Sequence, residues 1–120
     1  MRGKLFLVHW NAPLAEQMAK ELRDARWNVA FESEDGMRAV RRIREAPPNA
    51  IVISLDRAPY SGLETANTIR AIKGASIPIV FLDGKAETVK EAKGRVPAAI
   101  FATSGELHDV LSSYAKFGWG

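Results

Sequence analysis

The stretch AIVISLDRAPYSG, residues Ala50–Gly62, decides the fold of this chain. It begins as an uninterrupted apolar run, after the breaker PPN at residues 47–49, and becomes polar at Ser54. Apolar residues without alternation are typical of a strand that is covered on both faces, as in a parallel sheet with helices on each side. Polar residues at the end of such a strand lie at the carboxyl edge of the sheet, where open α/β folds place their sites. We therefore expect Ser54 and Asp56 to lie at a functional edge.

The composition is that of a single globular domain covering residues 1–120. Hydrophobic residues make up 47% of the chain and charged residues 26%, as is typical of soluble proteins. No apolar run approaches the roughly 18 residues of a membrane-spanning helix, so we expect no attachment to a membrane. The chain contains no cysteine, which excludes disulfides and thiolate chemistry and favours a cytoplasmic location.

Short apolar runs alternate with amphipathic segments along the whole chain. The runs that predict strands are Leu5–Val8, Trp27–Phe31, the central stretch, Ile77–Leu82 and Ala98–Ala102. Five strands alternating with five helices predict an α/β fold with right-handed crossovers. For so short a chain we expect a single doubly wound (flavodoxin-like) five-stranded parallel sheet, in the order 2-1-3-4-5, with helices on both faces.

The helices follow from apolar residues at helical spacing. In the first two helices this spacing predicts that Leu14 and Met37 face the core. It also predicts a third helix over Gly62–Lys73 and a fourth over Ala86–Lys93. The last helix follows Thr103, which has capping-box spacing with Glu106.

Polar side chains follow four of the predicted strands. His9 and Trp10 follow the first strand, Asp83 follows the fourth and Thr103 follows the fifth. The first, third and fourth strands are neighbours in the predicted order, so these residues and Ser54 share one edge of the sheet. This edge is the predicted position of a site.

Five segments of the chain carry a family resemblance. They are LFLV at residues 5–8, NVAF and DG at residues 28–31 and 35–36, PNAIVI at residues 48–53, GLE and IR at residues 62–64 and 69–70, and IPIV at residues 77–80. In this order and spacing they resemble the receiver domain of response regulators in two-component signalling, over essentially the whole chain. In that family an aspartate at the end of the third strand accepts a phosphoryl group from a histidine kinase. The resemblance therefore implies a signalling domain of the phosphorelay type.

The positions that carry the family's chemistry nevertheless depart from the family pattern. The phosphoacceptor of the family stands eight residues before a glycine, and eight residues before Gly62 stands Ser54. The acidic pair that holds Mg²⁺ in the family corresponds to His9 and Trp10. Indole is no ligand, and imidazole is a poor one for so hard a cation.

Three further positions differ in the same direction. Asp83 stands where the family has a threonine or serine that contacts the phosphoryl group, and Thr103 stands where it has a lysine. The aromatic switch residue corresponds to Ile100. The resemblance therefore implies a degenerate pseudo-receiver that is not phosphorylated on aspartate, holds no metal ion or cofactor, and is not an enzyme.

Two alternatives remain open at this edge. Asp56 lies two residues after Ser54, and residues two apart on a strand point to the same face, so Asp56 is a candidate for a displaced phosphoacceptor. Alternatively it is an ordinary loop carboxylate. His9, Ser54 and Asp83 also suggest a hydrolase-like enzyme or a small-molecule sensor. A catalytic triad, however, needs the imidazole between the hydroxyl and the carboxylate, and here Ser54 lies on the middle strand, between His9 and Asp83.

Partner surfaces are predicted from the resemblance and from charge. The family's partner surface corresponds to Ala86–Lys93, Ala98–Ala102 and Glu106–Tyr114, so we expect a protein partner, or a homodimer, at the Ala86–Tyr114 face. Four arginines in the second helix form either a solvated face or a contact for an acidic partner; they are Arg38, Arg41, Arg42 and Arg44. A net charge of +3 without a DNA-binding module argues against nucleic acid.

Overall fold

The sheet has five parallel strands in the order β2-β1-β3-β4-β5, as the sequence predicts. The computed structural model describes residues 3–55, 59–71, 77–96 and 98–117, without the side chains of residues 59–61 and 115–117. The strands are β1 (Gly3–Val8), β2 (Trp27–Glu32), β3 (Ala50–Ser54), β4 (Ile79–Leu82) and β5 (Ile100–Ala102). All five residues of β3 are buried. The apolar stretch is therefore the central strand of the sheet.

The helices cover both faces of the sheet. They are α1 (Ala12–Asp24), α2 (Gly36–Glu45), α3 (Pro59–Ala71), α4 (Ala86–Arg95) and α5 (Leu107–Phe117), the last preceded by a 3₁₀ turn, Ser104–Glu106. Side chains of α1 and α5 pack with Leu5 and Leu7 of β1 in one core. Side chains of α2, α3 and α4 pack with Phe6 and Val8 in a second core on the opposite face. The alternation along β1 follows from the two-residue period of a strand.

Several element boundaries differ from the sequence-based expectations. Helix α3 begins at Pro59 rather than Gly62, and proline is well suited to the first turn because it has no N–H to leave unpaired. The predicted end of α3 at Lys73 lies outside the described residues. Strand β5 begins at Ile100 rather than Ala98, which has a positive φ of 61° that breaks the extended conformation.

Two side chains that were expected in the core are exposed instead. Leu14 is 48% exposed and Met37 is 59% exposed. In α1 the buried face consists of Ala15, Ala19 and Leu22. Leu14 lies one position off this face. The buried face of α2 is likewise centred on Ala39, Val40 and Ile43, and Met37 lies at its flank.

No helix within the described ranges is long and apolar enough to cross a membrane.

Candidate functional site

The carboxyl ends of the strands meet at one edge of the sheet. The ladder register sets Ser54 beside Leu82, and Leu82 beside Ala102. The residues that follow β1, β4 and β5 emerge at this same edge, as the sequence predicts. They are His9, Trp10, Asp83 and Thr103. Asp56, the candidate for a displaced phosphoacceptor, lies outside the described residues.

Ser54 is the last residue of β3 and is only 1% exposed. Two neighbours lie against its backbone carbonyl. The indole N–H of Trp10 donates a hydrogen bond to the Ser54 carbonyl oxygen at 3.3 Å. Gly62 of α3 is so close that an added Cβ would lie 3.0 Å from the same oxygen. Steric contact thus explains why a glycine stands eight positions after Ser54, because a side chain there would push α3 away from the end of β3.

His9 is buried, with 7% of its surface exposed. Its Nδ1 accepts a hydrogen bond from the backbone N–H of Asn11 at 3.2 Å. A neutral imidazole that accepts at Nδ1 carries its proton on Nε2. In a hydrolytic triad the arrangement is the reverse, because Nδ1–H donates to the carboxylate and Nε2 takes the serine proton. The orientation of His9 therefore argues against a serine-hydrolase site.

Asp83 connects the ends of two strands. Its Oδ1 accepts from the backbone N–H of Ser104 at 3.0 Å, and its Oδ2 accepts from the Ser104 hydroxyl at 2.6 Å. The Asp83 backbone has a positive φ of 56°, which aspartate tolerates better than most residues. We call this pair of hydrogen bonds the Asp83–Ser104 tie. It joins the β4–α4 turn to the loop that follows β5.

The turn after Asp83 also packs against β3. Gly84 has a φ of 99°, and a Cβ added there would lie 2.8 Å from the Cβ of Leu55. Only glycine combines this backbone conformation with so close an approach. Asp83, Gly84 and Lys85 therefore form a strand-to-helix turn, and α4 begins directly after them.

Thr103 is exposed and begins the 3₁₀ turn. Its backbone N–H donates to the Glu106 carboxylate at 2.9 Å, one half of the predicted capping box. The box opens this 3₁₀ turn, and α5 follows it directly. Ile100, which corresponds to the aromatic switch of the family, is half-buried in β5.

The described residues at this edge are poorly suited to bind a magnesium ion. Within the part of the chain that the structure describes, no three histidine, aspartate or glutamate side chains cluster as metal ligands would. Mg²⁺ is usually bound through carboxylate and water oxygens. The indole of Trp10 offers only a donor, and both carboxylate oxygens of Asp83 already accept hydrogen bonds from Ser104.

A groove of about 450 Å³ lies next to the site, between α1 and α5. His9 and Asp83 line it together with His108, Leu14 and Met18, among others. Ser54 is not among the described residues that line this groove. His9, Ser54 and Asp83 therefore do not form one continuous binding surface here.

Comparison with known proteins agrees with this architecture, although no protein-family model matches the chain. The DNA-binding response regulator MtrA of Mycobacterium tuberculosis is 31% identical over 94 residues, which are 78% of this chain and 40% of MtrA. MtrA of Mycobacterium leprae gives the same identity and coverage. The chain thus spans about 40% of the length of the curated relatives that it matches.

Solved structures show the same fold at lower sequence identity. The chemotaxis protein CheY4 of Vibrio cholerae superposes with a TM-score of 0.77 at 19% identity, covering 92% of this chain and 96% of CheY4. The receiver domain of the sensor histidine kinase PA1611 of Pseudomonas aeruginosa superposes with a TM-score of 0.75 at 20% identity, covering 95% of this chain and 98% of that one. The PA1611 domain was solved with a magnesium ion coordinated in its active-site cleft.

The sheet order and the two helical layers define a doubly wound, flavodoxin-like α/β domain. The sequence relatives that the chain resembles are response regulators, and the solved structures that share its fold include a chemotaxis protein and a receiver domain.

Proposed function

We propose that this receiver-like domain is a pseudo-receiver, which signals through protein–protein contacts without phosphorylation on aspartate and without enzymatic activity. The observation that carries the proposal is the packing around Ser54. This residue occupies the end of β3, where the family resemblance places the phosphoacceptor, and it is 1% exposed beneath Trp10 and Gly62. Ser54 is therefore barely accessible to a phosphodonor.

The charges around Ser54 support the same proposal. Phosphoryl transfer to a carboxylate depends on positive charge that stabilises the phosphoryl oxygens, supplied by Mg²⁺ and by lysine in the family. Here the corresponding positions carry His9, Trp10 and Thr103. An unpaired lysine beside a site without acids would be costly, so the acidic pair and the lysine are expected to be lost together.

The Asp83–Ser104 tie supports a fixed rather than a switchable signalling surface. In the family, the residue at the end of β4 contacts the phosphoryl group and thereby responds to phosphorylation. Here that position bonds instead to Ser104 in the neighbouring loop. The tie holds the β4–α4 and β5–α5 connections together with no phosphoryl group.

The partner surface that the resemblance implies is the Ala86–Tyr114 face. Half-buried Ile100, Phe101 and Val110 lie on it. The ammonium of Lys93 lies 5.4 Å above the ring of Phe101. This mixture of half-buried apolar side chains and an exposed charged one suits a contact with another protein. A homodimer at this face stays a prediction.

Phosphorylation is tested by incubating the chain with acetyl phosphate and Mg²⁺ and measuring the intact mass. We expect no added phosphoryl group, while an aspartate-bearing receiver treated in parallel gains one. The matched variant is Asp56→Asn. A mass increase in the unaltered chain that disappears in Asp56→Asn would identify Asp56 as the phosphoacceptor and overturn the proposal.

A second measurement addresses the switch. Amide chemical shifts around Ser54 and Ile100 are recorded with and without Mg²⁺ and beryllofluoride, which mimics the phosphoryl group. We expect no change at either position. Shifts that spread from the edge of the sheet into β5 would show a working switch and contradict the proposal.

A further inference from the structure

The four arginines of α2 fall into two groups. Arg38 and Arg42 lie on the side of the helix that faces β2, where their guanidinium groups lie 3.5 Å and 3.7 Å from the carboxylate of Glu32. That carboxylate is only 5% exposed and also accepts hydrogen bonds from the backbone N–H groups of Glu34 and Asp35. A buried carboxylate needs such partners, because an unpaired charge in the interior is strongly unfavourable. Arg38 and Arg42 therefore serve the fold.

Arg41 and Arg44 form the second group. Both are exposed, and neither makes an ion pair within the described residues. With Met37 they follow the i, i+4, i+7 spacing of one helix face. Glu34 lies three positions before Met37, in the turn that leads into α2. Glu34 also lies 3.8 Å from Arg38, but both side chains are largely exposed and such contacts are weak. We call Glu34, Met37, Arg41 and Arg44 the α2 stripe.

The α2 stripe changes in charge from negative at one end to positive at the other. It begins with an acid, continues through an exposed apolar side chain and ends with two arginines. When two such stripes pair antiparallel about a two-fold axis, Glu34 of each copy faces Arg44 of the other, and Met37 faces Arg41. The positions match because residues 34 and 44, and likewise residues 37 and 41, are centred on position 39, where the two-fold axis would cross the helix.

We propose that α2 is a self-association surface, on which a second copy of this chain pairs antiparallel through the α2 stripe. Two ion pairs at the ends flank a centre where each Met37 packs on the aliphatic stem of the opposite Arg41. Within the described residues, Met37 and Leu14 are the large hydrophobic side chains that are exposed, and Met37 is the more exposed, at 59%. The contact covers it.

Charge balance favours a second copy over nucleic acid or a strongly acidic protein. Between Glu32 and Glu45 the chain carries four arginines and four acidic residues. A surface that binds a polyanion has a clear excess of positive charge. Three of the four acids precede the arginines and one, Glu45, follows them, so the acidic end of this segment is complementary to the arginines of its own reversed copy.

The proposed contact is small, because it involves one face of a short helix. Stable protein interfaces bury about 800 Å² on each partner, and a single helix face provides less. We therefore expect weak association, in which dimer appears between about 0.1 and 1 mM protein. It should weaken in about 1 M salt, where the Debye length is about 3 Å.

Analytical ultracentrifugation across this concentration range, at low ionic strength, tests the proposal. Arg44→Glu or Glu34→Arg alone places like charges opposite each other at both symmetric contacts, so the dissociation constant should rise roughly tenfold. The double variant, with both changes in one chain, restores both pairs with their signs exchanged and should recover the dimer. Lys20→Glu in α1 gives the same change of net charge as Arg44→Glu outside the stripe and should leave the dissociation constant unchanged.

Three results would overturn the proposal. In the first, the chain stays monomeric at about 1 mM. In the second, the dimer forms but neither single variant changes its dissociation constant. In the third, the double variant does not recover the dimer, although its circular dichroism and melting match those of the unaltered chain. The second result would point to the Ala86–Tyr114 face as the site of dimerisation.

Discussion

Removing the Asp83–Ser104 tie should destabilise the protein in a way that identifies the tie. Asp83→Gly deletes the carboxylate but permits the positive φ of 56° at this position. Asp83→Ala deletes the same carboxylate and adds a residue that disfavours that backbone conformation. Ser104→Ala removes only the hydroxyl that lies 2.6 Å from Asp83 Oδ2. Together the three variants separate the hydrogen bonds from the backbone strain.

The expected magnitudes follow from this geometry. A hydrogen bond to a charged group contributes about 1.5–3 kcal/mol in a buried site. The tie is solvent-exposed. We therefore expect Asp83→Gly, which removes both hydrogen bonds, to lower the free energy of unfolding by about 1–2 kcal/mol. Asp83→Ala should cost about 1 kcal/mol more, because alanine is disfavoured in the left-handed region. Ser104→Ala should cost about 1 kcal/mol.

Urea unfolding followed by tryptophan fluorescence and circular dichroism gives these free energies. In the double variant with Asp83→Gly and Ser104→Ala, the losses should fall short of additivity by about 1 kcal/mol, because both changes remove the same contact. Ser113→Ala is the control, since Ser113 is an exposed serine of α5 without a side-chain hydrogen bond in the described structure. Losses that add to within about 0.3 kcal/mol would refute the tie as a direct interaction.

Two further predictions concern close packing at the same edge. Gly84→Ala should destabilise the protein by about 2–4 kcal/mol, because its Cβ would lie 2.8 Å from the Cβ of Leu55 at a positive φ. Gly94 lies in the last turn of α4, where an added Cβ meets nothing within 4 Å, so Gly94→Ala should instead stabilise the protein by up to about 0.5 kcal/mol. Thermal melting of both variants checks this pair, and equal effects would contradict the packing of the turn. Trp10→Phe keeps an aromatic ring but removes the indole N–H that donates to the Ser54 carbonyl oxygen. It should lower the free energy of unfolding in urea by about 1 kcal/mol, and an unchanged unfolding midpoint would show that this hydrogen bond contributes nothing.

The sequence predicted the sheet correctly because strand periodicity and chain length leave few arrangements. Uninterrupted apolar runs such as Ile51–Ile53 require cover on both faces, and short alternating units require parallel strands with crossovers. The structure has the predicted order, 2-1-3-4-5. The same reasoning placed His9, Ser54 and Asp83 at one edge, since all parallel strands end on the same side of the sheet.

Helical spacing was less informative about individual side chains. It indicated an inward position for Met37 because Met37, Val40 and Ile43 are apolar and lie three positions apart. The inner face of α2 is centred on Ala39, Val40 and Ile43, and Met37 lies at its flank, where the side chain is exposed to solvent. Small residues such as alanine carry a weak hydrophobic signal in the sequence, yet they allow the closest packing of helix on sheet.

The sequence alone determined the doubly wound fold and the edge of the sheet at which His9, Trp10, Ser54 and Thr103 lie. Only the tertiary structure showed which contacts the residues at and beside this edge make. Asp83 bonds to Ser104, which lies 21 positions later. Of the four arginines of α2, Arg38 and Arg42 pair with the buried Glu32, whereas Arg41 and Arg44 are exposed. These contacts depend on how neighbouring strands and their loops are set against each other, and no local pattern of residues encodes that arrangement.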